Sequence, residues 1–128
     1  MAALSDYLEN KLLDHIVGKT SFTMPTAYIA LFTANPTDAG GGTEANYGSY
    51  ARVTTSGATW AAASGGASSN AAAITFPACT SGTNTITGFG IYDASTTGNL
   101  LAWGTCSLSV STGITPEFAI GDLDLTMD

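Results

Sequence analysis

The chain has 128 residues, of which only 10% are charged, against roughly a quarter in an ordinary soluble domain. Three cations face ten carboxylates for a formal net charge of -7; Lys11 and Lys19 lie near the start and Arg52 stands alone, so no basic patch for a phosphate backbone can be built and nucleic acid is excluded as a partner. No stretch approaches the ~20 apolar residues of a membrane span, and Met1 to Leu8 has no basic n-region, so the chain reads as soluble, with no membrane partner and no signal peptide. The length suits one domain, residues 1–128, that buries about two-thirds of its extended surface. Ser, Thr, Ala and Gly occupy the places where Lys and Glu usually sit. Such small side chains lose little entropy when pressed against a neighbour, which favours packing into an assembly.

In chain order, the first element is a helix from Ser5 to Val17, within an N-terminal segment of residues 1–18. Ser5 can cap it, Asp6 and Glu9 suit the positive end of its dipole, and Gly18 followed by Lys19 marks its stop. Leu4, Leu8, Leu12 and Ile16 recur at i, i+4 spacing, giving one apolar face that wants a partner. From residue 26 to 128 the period changes to two. Thr26–Thr33 alternates Tyr28, Ala30 and Phe32 with Ile29 and Leu31, which leaves both faces apolar, as in a strand inside a sandwich. Tyr50–Thr55, Ala71–Phe76, Thr83–Tyr92, Leu100–Leu108 and a C-terminal stretch from Phe118 to Met127 are further strand candidates. Asn35–Gly42 reads as a glycine-rich loop, Ser64–Asn70 as a flexible link and Asp93–Asn99 as a hairpin connection. The fold expected is mainly β: an antiparallel β-sandwich or jelly roll behind one N-terminal amphipathic helix.

Residues able to do chemistry are scarce. His15 is the single imidazole, placed near the apolar stripe at the helix C-terminus, where a partly buried histidine favoured by the dipole is the simpler reading than a catalytic one. Asp122 and Asp124, two apart on a presumed strand, could share a face and bind a cation or hydrolyse a glycan. Their alternation with Leu123, Leu125 and Met127 equally describes a half-buried strand showing its polar side to water. Asp38 and Glu44 flank the glycine loop without the spacing of a calcium loop, and Gly40–Thr43 lacks the end of a phosphate loop. No catalytic, cofactor or metal residue is assigned. Cys79 and Cys106 read as buried free thiols, with a disulfide between them as the alternative. The aromatics read as core; were any to form a contact platform, Tyr47, Tyr50 and Trp60 are the candidates.

Seven segments in order, Tyr7–His15 with Gly18–Thr20, Tyr28–Thr33 leading to Pro36–Gly40, Tyr50–Val53, Ile74–Pro77, Gly90–Ala94, Gly98–Gly104 and Gly121–Asp128, resemble a family of small bacteriophage virion proteins often labelled tail fibre or minor structural protein. The resemblance implies a non-enzymatic component of the particle, made in the bacterial host cytoplasm, with no cofactor and no catalytic residues to carry over. Within the virion, a compact domain without heptads or shaft repeats suits a capsid decoration, or cement, protein docked on the major capsid protein. The alternative is a tail or fibre adaptor that touches a host receptor or glycan through Tyr47, Tyr50 and Trp60. Contacts with other virion proteins are expected at Leu4, Leu8, Leu12 and Ile16 and along the loop from Asn35 to Tyr50. A homo-oligomer, dimer or trimer, is expected because alternating apolar strands leave edges that need covering.

Overall fold

The computed structural model of the chain describes residues 2–127. Its elements run β1 (Ala2–Leu4), α1 (Asp6–Ile16), β2 (Tyr28–Ala34), β3 (Thr43–Glu44), β4 (Val53–Thr54), a single 3-10 turn (Gly57–Thr59), β5 (Ala67–Ser69), β6 (Ile74–Thr75), β7 (Thr83–Tyr92), β8 (Leu100–Ser111), β9 (Glu117–Phe118) and β10 (Asp124–Thr126). The protein is therefore mainly β with one N-terminal helix, as expected.

The helix begins and ends where its local chemistry says it should. Ser5 Oγ accepts the Leu8 N–H at 3.2 Å, and Asp6 and Glu9 occupy the first turn. At the other end Gly18 takes a φ of +76°, which lets its N–H reach the His15 carbonyl at 3.2 Å while the Lys19 N–H reaches Asp14 at 2.8 Å. Two otherwise orphaned carbonyls are satisfied by a glycine that tolerates the left-handed conformation.

One large sheet carries the order β3-β2-β7-β8-β1-β10-β5, with β4 also paired to β2. Its pairs are antiparallel except β1 with β10, which run parallel. The long β7–β8 hairpin is its spine, and the Asp93–Asn99 connection closes it as the turn residues predict. β6 and β9 form a second, two-stranded sheet that packs a sandwich-like lid over the core: the Phe118 ring meets Phe76 at 6.0 Å and Phe89 at 5.8 Å between centroids, both edge to face.

β2 is buried on both faces. Ile29 and Leu31 pair with Ile91 and Phe89 of β7 and join the main apolar cluster with Phe76, Phe118 and Leu123. Ala30 and Phe32, pointing the other way, are equally buried, because the β7 position beneath Phe32 is a glycine. A Cβ on Gly90 would lie 2.6 Å from the Phe32 ring, so only glycine allows the ring to lie flat on the strand.

Several expectations need correction. Leu4 belongs to β1 and not to the helix stripe. The C-terminal stretch is not one strand: β9 lies in the small sheet, β10 in the large one, and the chain turns between them. Asp122 therefore sits in that turn, where its Oδ2 accepts the Ala119 N–H at 2.9 Å, and it does not share a strand face with Asp124. The Ser64–Asn70 link contains β5, paired with β10. His15 is exposed, and its Nδ1 accepts the Phe22 N–H at 3.0 Å, tying down the chain that leaves the helix.

Candidate docking surface

Two concave surfaces flank α1. The first is an apolar groove of about 660 Å³ between α1, β1 and β10, lined by Ala2, Ala3, Leu4, Glu9, Leu12, Leu13, Ile16, Thr126 and Met127. Of the four contact residues expected on the N-terminal segment, three, Leu4, Leu12 and Ile16, come together here. The fourth, Leu8, turns inward and packs on the core. Because successive helix residues advance by 100°, the stripe drifts around the axis: Leu8 is held beneath the helix while Leu13 and Ile16, 57% and 72% exposed, emerge on its outer side. Val17, just past the helix, and Met127 are also well exposed. No residue of α1 is fully buried, so this helix is tied to the fold by its first turn more than by its length. The Ser5 hydroxyl donates to the Leu100 carbonyl of β8, the Ser5 N–H to Leu101 at 2.9 Å, and the Asp6 N–H to the Asp38 carbonyl at 2.9 Å.

The second surface is a polar cleft of about 610 Å³ between the start of α1, the glycine loop and the β7–β8 connection. Arg52 forms part of its wall. Its Nε and Nη2 donate to the two Glu44 oxygens at 3.0 and 2.9 Å, Nη1 donates to the Ala94 and Thr97 carbonyls at 2.8 Å each, and the guanidinium lies 3.8 Å from the Tyr92 ring centroid. The isolated cation of the sequence is thus a clamp joining β3, β4 and the hairpin connection, with its side chain only 6% exposed. Tyr50 completes the set: its hydroxyl donates to Glu44 and accepts the Leu31 N–H at 3.1 Å. Burial works to raise the Glu44 pKa, but the hydrogen bonds from Arg52 and Tyr50 outweigh it and hold the carboxyl below its ordinary 4.5. Burial and the bond to Glu44 push the Tyr50 phenol well up.

The other aromatics proposed for contact are also engaged internally. Tyr47 is 3% exposed, stacks edge to face on Tyr50 at 5.4 Å and donates to the Pro77 carbonyl at 2.9 Å. Trp60 is half-buried and donates from Nε1 to Thr55 at 3.1 Å. Tyr47 in particular has no face free for a ligand, because a ring this large repays burial more than exposure. Asp38, read as part of an acidic flank, accepts the Trp103 Nε1–H at 2.9 Å. Both cysteines are free thiols, Cys79 buried as expected and Cys106 only half-buried; burial still raises the Cys106 pKa to about 11, which makes it a poor nucleophile. Among the described residues no group of three or more His, Cys, Asp or Glu could hold a metal ion, and no helix is long and apolar enough to cross a membrane. Sequence reasoning singled out Arg52 and Glu44 separately but missed their pairing with each other and with Tyr92, which lies far from both in the chain, so no local pattern marks the set.

No curated protein matches the chain. The model of the family described as Podophage GP4 fiber I protein gp80 matches residues 3–126, almost the whole length, and the chain belongs to that family of phage virion structural proteins.

Proposed function

We propose that the protein is a non-enzymatic fibre component of the virion, mounted on a neighbouring virion protein through the apolar groove beside α1. The family match across residues 3–126 carries this reading. The groove supplies a place for the mounting: exposed Leu13, Ile16 and Met127 beside Ala2 and Ala3 form the kind of contiguous apolar surface that marks a protein contact. Its occupant is an apolar segment of the partner flanked by Lys or Arg, since the chain carries a net charge of -7 and Glu9 stands in the groove itself. Two or three copies of the chain meeting at the same groove, the homo-oligomer expected above, would bring like charges together and so would need the apolar contact to exceed that repulsion.

A second reading, decoration of the head by docking on the major capsid protein, is favoured by the compact sheet with a protruding apolar helix face, which suits a shell better than a shaft. Copy number per purified particle, measured by quantitative mass spectrometry against the major capsid and tail proteins, separates the two. A handful of copies supports the fibre reading; hundreds in fixed ratio to the capsid protein overturn it in favour of decoration. Light scattering on the purified chain tests self-association, and a monomer at high concentration removes the second copy as the occupant.

A further inference from the structure

We infer that the apolar groove beside α1 receives the Lys19–Pro25 segment of a second copy of this chain, so that the neighbour on which the protein is mounted is another molecule of itself. This deepens the fibre reading and rests on it, naming the partner of its docking surface. The groove calls for an apolar segment with a cation beside it, because Glu9 stands with Leu12, Leu13 and Ile16 in its wall. The chain has three cations, and two of them are engaged internally: Arg52 clamps Glu44 with its side chain 6% exposed, and Lys11 lies 5.5 Å from the Tyr7 ring centroid. Lys19 is exposed and makes no ion pair among the described residues. It is followed by Phe22, Met24 and Pro25. Met24 is 90% exposed, more than any other large apolar side chain among the described residues. The chain thus carries, on its own surface, the kind of segment its groove would select.

The segment is held in shape before any partner arrives. The Asp14 carbonyl accepts the Lys19 and Thr20 N–H groups at 2.8 and 3.2 Å, and His15 Nδ1 accepts the Phe22 N–H at 3.0 Å, so less ordering remains to be done on docking. Between Lys19 and Pro25 only Phe22 is half-buried; the rest is exposed and belongs to no helix or strand. None of the groove's lining residues comes from this segment, so the contact is one between copies. Groove against groove would set Glu9 against Glu9, whereas groove against segment sets Glu9 against Lys19 and leaves the apolar contact unopposed. One such contact covers Leu13, Ile16, Met24 and Met127, four of the seven exposed large apolar side chains among the described residues. Because groove and segment are different patches, the contact is made twice about a two-fold axis or passed once around a closed ring. Either arrangement leaves every groove and every segment covered.

The test is light scattering of the purified full chain over a concentration series, with circular dichroism checking that each variant folds. The unaltered chain should form a closed dimer or trimer. Met24→Asp and Lys19→Glu, at exposed positions outside helix and sheet, should each weaken that association by about tenfold or more, as should Glu9→Lys. Ile120→Asp, also exposed and apolar but in the turn between β9 and β10, should leave it unchanged. Mixing the Glu9→Lys and Lys19→Glu variants matches opposite charges between copies again and should recover the association that neither variant shows alone; a pair formed within one chain could not be recovered by mixing. A monomer at every concentration, unchanged association in Met24→Asp, or no recovery on mixing overturns the inference, and association lost in Ile16→Asp but kept in Met24→Asp assigns the contact to groove against groove instead. A monomer found at a handful of copies per particle rejects this contact and retains the fibre reading, with a different virion protein in the groove; an oligomer with the expected variant pattern found at hundreds of copies does the reverse.

Discussion

The two sides of α1 treat their side chains in opposite ways. On the cleft side the polar groups face each other: Arg52, Glu44, Tyr50, Tyr92 and Asp38 all have partners within the chain, and no buried side-chain N or O atom is left without one among the described residues. On the groove side Leu13, Ile16, Val17 and Met127 are between 57% and 72% exposed. One side holds the fold together and the other is available to hold the protein to something else. An unpartnered apolar face is tolerable only on a molecule whose polar network secures the fold without it.

Breaking the cleft side should cost the most. Arg52→Ala strands the half-buried Glu44 carboxylate and frees the Ala94 and Thr97 carbonyls, and we expect a loss of about 3 kcal/mol in urea unfolding; a loss near zero would mean the clamp is ornamental. Gly90→Ala forces a methyl into the Phe32 ring at 2.6 Å and should cost about 2 kcal/mol by the same measurement. Ser5→Ala removes both the cap on the Leu8 N–H and the bond to Leu100, where α1 is fastened to β8; about 1 kcal/mol is expected, with faster amide exchange confined to the first helical turn.

Titration sharpens the same contrast. The Glu44 pKa is held below its unfolded value of 4.5, so its contribution is complete above that pH and is lost as pH falls through the lower folded value. Glu44→Gln should therefore flatten the acid limb of the stability profile below pH 4.5. Cys106, raised from 9.0 to about 11, contributes stability that is complete below 9.0 and declines as pH rises towards about 11. Cys106→Ser should flatten that alkaline segment in thermal melts. The smallest effect on stability belongs to the groove: Leu13→Asp and Ile16→Asp should shift unfolding by less than about 0.5 kcal/mol, yet remove the protein from assembled particles in a complementation assay. Unfolding instead of non-assembly in these variants would show that the groove is part of the fold.

Sequence alone placed the helix within a residue at each end, because Ser5, Asp6, Gly18 and Lys19 act on backbone groups three to five positions away. It also marked β2, β7 and β8, whose length and alternation are visible without a partner, and an ordered set of segments pointing to a phage virion family. Of the docking residues it found Leu4, Leu12 and Ile16, though on the mistaken ground that all four lay on one helical stripe. What only the tertiary structure decided is everything made between distant segments. β1, β3 and β5 have two or three residues each and exist because a neighbouring strand offers hydrogen bonds, not because their own residues prefer extension. Ser5 meets Leu100 and Arg52 meets Glu44 and Thr97 because the sheet's strand order brings them together. Capping and alternation are written in a few adjacent residues; pairing across dozens of positions depends on the whole chain's burial of apolar surface, and no local pattern records it.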